Sequence, residues 1–404
     1  MIGNLMNQLA YLPLLWAIVL ACVSLEALRR FARRSRDARA LPAVAGAPGG
    51  SSRGAPVLLI RPCAGDEPHL ERALVSLRSA FCGSRVRCRF AIADAADAAL
   101  PAARRACEAL GSAGIDAEIS ITGAAGPNRK AAQIEAVVAL AHAHEGDVNG
   151  PILIADSDVD LAGVDLDALI NPLTSGGADA VWTPPVERDA VRTFGDRASV
   201  ALLAGSLHAF PLLAALDERG LVGKLFSIRG DVLRAVGGFA SLTQILGEDI
   251  EIARRVRARG GSIRVTPFAV RSLATGRSFG QVVQRYARWL VIIRAQRPWL
   301  LLSYPALFFA SPLLLALSAV AAPFAPIPAI TAALLTIAAR LSIAAGAARA
   351  AGRKITLSAA LTDAALADVL LACAFVCALR TRTVVWRSTV LTVDRSGVLR
   401  ERAV

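Results

Sequence analysis

Long apolar runs near both ends of the chain enclose a middle in which short apolar stretches alternate with amphipathic ones. Residues 9–28 carry one acid, Glu26, near their end, and as a helix they are long enough to cross a hydrocarbon core of about 30 Å. Arg29, Arg30, Arg33, Arg34, Arg36 and Arg39 follow. The length and the lack of a small-residue cleavage pattern favour a retained anchor over a signal peptide, and the arginines put the next segment in the cytoplasm. Two more spans are expected near residues 300–322 and 324–348; Pro305, Pro312, Pro323, Pro326 and Pro328 predict a kinked first helix and a tight connection. Residues 357–379 are apolar but contain Asp363 and Asp368. If they crossed fully, the tail with Arg380, Arg382, Arg387 and Arg395 would lie outside, so a re-entrant or interfacial segment is the preferred reading.

Between the ends, after a Gly/Ser/Pro linker at Gly46–Pro56, strand-like and helical patterns alternate. Val57–Ile60 precedes a helical stretch at 68–80, Phe90–Ala93 one at 101–111, and Glu118–Thr122 one at 130–143. Ile152–Ala155 and Ala180–Thr183 continue the series. Such alternation predicts an α/β fold with a mostly parallel sheet covered by helices. The expected division is an anchor at 1–28, a basic linker at 29–55, the α/β domain at 56–279, an interfacial helix at 280–299, apolar helices at 300–380 and a basic tail at 381–404. No G-x-G-x-x-G follows the first strand and no Walker lysine loop is present, which argues against dinucleotide dehydrogenases and P-loop enzymes.

Composition agrees with a membrane protein carrying a polar domain: 55% of 404 residues are hydrophobic and the mean hydropathy is +0.50. The net charge of +13 is accounted for by basic residues at a lipid surface, and no basic stretch interleaved with aromatics points to nucleic acid. The seven cysteines lack a paired zinc spacing.

Candidate chemistry gathers at strand ends, where open α/β sheets bind ligands. Asp156-Ser157-Asp158 begins where the apolar run 151–155 stops. Residues two apart in an extended chain face one side at a spacing of roughly 6.5 Å, so Asp156 and Asp158 converge while Ser157 turns away. Paired carboxylates suit Mg²⁺ or Mn²⁺; alone, the stretch reads equally as a solvated acidic loop. Asp94 ends the strand Phe90–Ala93, and Gly247-Glu248-Asp249 opens a helix, where an acid is also a plain cap. In Arg285-Tyr286-Ala287-Arg288-Trp289 the two arginines share a helix face, as phosphate ligands or as an interfacial belt.

In this order the motifs resemble the membrane-bound, family 2 inverting glycosyltransferases, most of all the ceramide glucosyltransferase and hopanoid glycosyltransferase branch. Asp94, Asp156-Ser157-Asp158, Glu248-Asp249 and Arg285-x-x-Arg288-Trp289 match its acidic and (Q/R)-x-x-R-W motifs. Gly65–Pro68, Gly126–Lys130, Gly237-Gly238-Phe239 and Val385-Trp386-Arg387 match smaller ones, whereas Arg61, Gln133 and Gly247-Glu248 depart from the usual residues. The resemblance, over about 56–387, implies a GT-A-type domain on the cytoplasmic face of a bacterial inner membrane, using a UDP-sugar donor and a membrane lipid acceptor. It implies Asp249 as general base and Asp158 as ligand of Mg²⁺ or Mn²⁺. Asp94, Lys130, Asp156, Arg285, Arg288 and Trp289 would bind the donor. A processive polysaccharide synthase, a polyprenyl-phosphate glycosyltransferase and an inactive membrane adaptor are the competing readings.

Overall fold

In the computed structural model, described at residues 11–40, 57–145, 149–187, 191–381, 383–386, 389–394 and 397–401, the chain divides into two compact units. The linker Gly46–Pro56 and the tail residues Arg382, Arg387 and Arg395 lie outside the described residues. In chain order the helices are α1 (Leu12–Ala40), α2 (Leu70–Val75), α3 (Leu100–Gly111), α4 (Arg129–Glu145), α5 (Asp167–Thr174) and α6 (Phe194–Gly205). They continue with α7 (Phe210–Leu216), α8 (Gly230–Ala235), α9 (Glu248–Ala258), α10 (Phe279–Gln296), α11 (Ala310–Ala321), α12 (Pro326–Ala350) and α13 (Leu357–Arg380).

The first unit, residues 37–185, 217–275 and 385–404, is built on a sheet. Its strands are β1 (Val57–Cys63), β2 (Val86–Ile92), β3 (Asp116–Ile121), β4 (Pro151–Ala155), the short β5 (Val159–Asp160) and β6 (Ala180–Trp182). After β7 (Pro185–Val186) at the boundary come β8 (Leu225–Arg229), β9 (Ile263–Val265) and β10 (Val270–Ser272). Seven form one sheet in the order β3-β2-β1-β4-β8-β6-β9. Strands β1 and β4 are buried on both faces, which is why β4 and the 57–60 part of β1 read as unbroken apolar runs. The anticipated α/β architecture is present, with one departure: β8 runs antiparallel to both β4 and β6. That reversal aligns Leu225 with Ala155, so the start of β8 lies beside the end of β4. Strand β2 begins earlier than its apolar core suggests, because Arg87 and Arg89 alternate with Cys88 and Phe90 along its edge. Within β1, the fully buried Arg61 donates to the carbonyls of Ala73 (2.6 Å), Asp156 (3.0 Å), Ser157 (3.3 Å) and Val159 (2.6 Å). A single guanidinium thus shapes the turn that carries both acids.

The second unit, residues 1–36, 186–216 and 276–384, is helical and apolar. Among the described residues four helical stretches are long and apolar enough to cross a membrane: Leu12–Arg36, Phe194–Leu216, Pro326–Ala350 and Leu357–Arg380. A fifth candidate, Pro298–Phe308 with Ala310–Ala321, is bent by 57°, in keeping with the kink its prolines predict. Phe194–Leu216 was not among the spans anticipated from sequence; its window is 83% buried within the protein. The two acids of α13 are both paired. Asp368 meets Arg340 of α12, and Asp363 meets Arg197 of α6 and Arg353 (3.3 Å). Gly205 allows this approach, since a Cβ there would sit 2.8 Å from that of Asp363. Paired in this way, the acids are tolerable in a segment of such hydropathy.

Candidate active site

Five of the sequence-derived residues belong to the sheet unit, and four of these join one network. At the end of β4 the side chains of Asp156 and Asp158 converge on a common cation. Lys224 Nζ lies 2.6 and 2.7 Å from the two oxygens of Asp158 and 3.3 Å from Asp156. Ser157 donates to Glu67, but the segment is not the extended chain expected from the spacing: residues 157–158 form a turn closed by the Val159 amide donating to the Asp156 carbonyl at 3.1 Å. Burial and the neighbouring Asp158 raise the pKa of Glu67 above the usual carboxylate range. Asp158 is almost fully buried and also accepts from Ser272 Oγ at 2.6 Å.

Lys130, in the first turn of α4, reaches Asp156 at 2.7 Å and Glu248 at 3.0 Å, and donates to the Gly223 carbonyl at 3.0 Å. Burial alone would discharge this ammonium; the carboxylates of Asp156 and Glu248 outweigh it and raise the Lys130 pKa above its ordinary value. Burial likewise opposes ionisation of Glu248, but Lys130 overcomes it and holds that carboxyl low. Asn128 caps α4 by accepting from Ala131 and donates to Glu248 at 3.2 Å.

Asp249 sits in the first turn of α9, entered through Gly247 in a left-handed conformation (φ 78°). Its carboxylate accepts from the amides of Gly223 (2.7 Å) and Ile250 (2.9 Å). Burial, then the negative charge of Glu248, push its pKa up to about 6 despite Lys130. A side chain at 223 would crowd this arrangement, because a Cβ there falls 3.1 Å from Lys130 Nζ and 3.2 Å from Asp249. Asp94 stands apart: exposed beyond β2, it accepts from Ala96 in its own turn. With β1 between β2 and β4, the two strand ends are about 10 Å apart. Its neighbour Asp97 ties the β1 and β2 loops together by accepting from Gly65 at 2.6 Å.

Arg285, Arg288 and Trp289 lie on α10 in the helical unit. There Glu187 accepts from Arg285 (2.7 Å), Arg277 (2.8 Å) and Ser199 (2.6 Å). Burial opposes its charge, yet the two arginines hold its carboxyl well below the usual range. Ser199 also meets the Tyr286 hydroxyl at 3.0 Å, and Arg285 lies over the Trp289 ring at 5.3 Å. His208 stacks against Trp289 and meets the Tyr304 hydroxyl at 3.2 Å.

Gly223, Lys224, Glu67, Ser272, Glu187 and Arg277 were not singled out from the sequence. A signal existed for Lys224, a lone cation directly before the apolar run 225–228. It carries meaning only once β8 is reversed.

Among the described residues no group of three or more His, Cys, Asp or Glu is arranged to hold a metal ion. The Asp156/Asp158 pair nevertheless fits a hard divalent cation in one particular way. The pair supplies two carboxylates facing one point, and further oxygens must then come from a bound phosphate and water, the usual manner for Mg²⁺.

The sequence profile of Glycosyl transferase family 21 matches residues 9–399. Comparison with curated proteins returns no match. Among solved structures, a mannosyltransferase from Pyrobaculum calidifontis, solved with GDP-Man and Mn2+, is similar at 20% identity, with 91% of this chain and 98% of that chain covered and a TM-score of 0.44. Glucosyl-3-phosphoglycerate synthase from Mycobacterium tuberculosis, with Mn2+, UDP and glucosyl-3-phosphoglycerate, is similar at 17% identity over 58% of this chain and 78% of that one, TM-score 0.34.

Proposed function

Because the chain belongs to glycosyl transferase family 21 and is a glycosyltransferase, we propose that it moves a sugar, glucose or an N-acetylhexosamine, from a UDP-sugar to the hydroxyl of a membrane lipid such as ceramide or a hopanoid polyol. The observation that carries this reading is Asp249, a half-buried residue whose carboxyl is pushed up to about 6, in the same network as Lys130 and the Asp156/Asp158 pair. As the lipid oxygen attacks the anomeric carbon, Asp249 takes the hydroxyl proton, and the bond from that carbon to the diphosphate oxygen breaks. A single displacement of this kind inverts the configuration. Lys130 places a fixed positive charge beside the departing diphosphate, and Asp94 serves the uracil or ribose end. Asp156 and Asp158 would hold Mg²⁺ or Mn²⁺, which when bound stabilises the leaving UDP as a Lewis acid. Arg285, Arg288 and Trp289 keep the donor-binding role that their motif implies.

A lipid acceptor is supported by the helical unit, whose crossings follow from connectivity. Strands β1–β4 and β6 precede the segment 186–216, and β8 follows it in the same sheet. One sheet lies on one side of a bilayer, so Phe194–Leu216 does not traverse it. Helices α1 and α12 run in the same direction: Ala17 and Leu20 share a core with Ala332 and Ala339, and Ala27 shares one with Ile343 and Ala347. The end of α12 therefore returns to the side where α1 ends. After α13 the chain rejoins the sheet unit, where the Leu399 amide donates to the Gln244 carbonyl at 2.7 Å. On this reading helix α13 does not cross, and among the described residues it leaves three crossings: α1, the bent pair and α12. The same side receives Arg29, Arg30, Arg349, Arg353 and Lys354, and by the positive-inside rule it is the cytoplasm of a bacterial inner membrane.

The test is UDP release and mass-spectrometric detection of glycosylated lipid with purified protein in membrane-lipid micelles. Asp249→Asn and Asp158→Ala should each lose at least about a thousandfold in turnover. Near-normal turnover in either would sink the assignment.

A further inference from the structure

Lys224 occupies the position that the proposed divalent cation would need. Its ammonium touches both oxygens of Asp158 and reaches Asp156 as well. A divalent cation bound between these carboxylates at about 2.1 Å would lie directly against the ammonium, and the repulsion of the two positive charges disfavours their sharing the pair. The backbone of Lys224 is fixed, since its carbonyl accepts from the Asp156 amide at 2.9 Å. The four-carbon stem is not fixed in the same way and lets the charged tip move by several ångströms. Among the described residues no third carboxylate, imidazole or thiolate completes a metal-holding group with these two acids. In the absence of nucleotide, then, a divalent cation gains only two carboxylates and must expel a resident positive charge.

We propose that Lys224 is a gate for the metal: it neutralises Asp156 and Asp158 in the nucleotide-free protein and yields them only when a divalent cation arrives together with a nucleoside diphosphate, to which its ammonium then transfers. This rests on the nucleotide-sugar reading of the same site. The diphosphate contributes the oxygens that complete the cation's shell and the negative charge that receives the displaced ammonium. Cation and nucleotide therefore favour each other's binding, and the coupling is reciprocal. It also keeps the acid pair from being filled by free cation when no donor is present.

The experiment is Mn2+ binding to the full-length protein in detergent, read from the loss of the free Mn2+ paramagnetic resonance signal, with and without UDP. In the unmodified protein UDP should tighten Mn2+ binding at least tenfold. In Lys224→Gln, Mn2+ alone should bind at least tenfold more tightly than in the unmodified protein, and the enhancement by UDP should shrink. Lys224→Arg keeps the competing charge and should resemble the unmodified protein without UDP. Equal or weaker Mn2+ binding by Lys224→Gln, in protein whose thermal unfolding matches that of Lys224→Arg, overturns the gate while leaving the nucleotide-sugar reading standing. If Lys224→Gln does not fold, unmodified protein that binds Mn2+ equally with and without UDP overturns the gate by itself. Failure of every form to bind Mn2+ even with UDP removes both.

Discussion

Asp249 is where pH should act first. A general base works ionised, and burial beside Glu248 has moved this carboxyl up to about 6. We therefore expect kcat/KM to rise with pH through about 6 and to level off above about 7, as read from initial rates of UDP release. A profile flat from pH 5 to 8 would contradict the assignment. The sign for stability is opposite. A raised acid favours the folded state fully below its unfolded pKa of about 3.9, and that contribution is lost as pH rises through about 6. At neutral pH the ionised Asp249 therefore costs the fold on the order of 2–3 kcal/mol, so Asn at this position should unfold at an equal or higher temperature while losing turnover. A lower unfolding temperature for Asp249→Asn would show that its bond to Gly223 matters more than its charge.

At the scale of elements, two polar devices carry more than their residue types suggest. Arg61 takes four carbonyls around α2 and the turn after β4. Arg61→Met removes this donor from all four, although Ala73 still accepts from Ser76 and Asp156 from Val159, and we expect a loss of about 3 kcal/mol in thermal unfolding together with weakened donor binding. Helix α13 depends on paired charges. Arg340→Met or Asp368→Leu alone strands its partner and should destabilise by about 3–5 kcal/mol, whereas the double substitution should recover most of that loss. A double variant as unstable as either single one would mean that the pair does not account for the cost. The sequence marked both aspartates of α13 as out of place but could not supply their partners, because Arg340 and Arg197 come from other helices.

For the whole molecule, the proposed crossings rest on connectivity rather than on hydropathy. Length and composition qualify Leu357–Arg380 as fully as Pro326–Ala350. The return of the chain to Gln244 after α13 separates them. A protease site placed at 352–354 should be cut in inside-out vesicles and protected in spheroplasts, while one at 322–325 should behave in the opposite way. Cleavage at 352–354 from outside the cell would overturn the three-crossing arrangement.

Much of this protein was legible in its sequence because the signals are local. Alternating strand and helix patterns gave the α/β unit, and the apolar ends gave most of the helices long and apolar enough to cross a membrane. An acid directly after a buried run placed Asp156 and Asp158 at a strand end, although a turn, not the alternation of an extended chain, brings their carboxylates together. What only the tertiary structure decided depends on partners distant in the chain. The reversal of β8 brings the start of that strand, and with it Lys224, to the end of β4. Helix α9 delivers Asp249 to Gly223, and Lys130 joins Asp156 to Glu248, which are about ninety residues apart in the chain. A strand's direction within a sheet and the charge opposite a buried acid are set by long-range packing, and hydrophobic periodicity, a property of neighbouring residues, does not encode either.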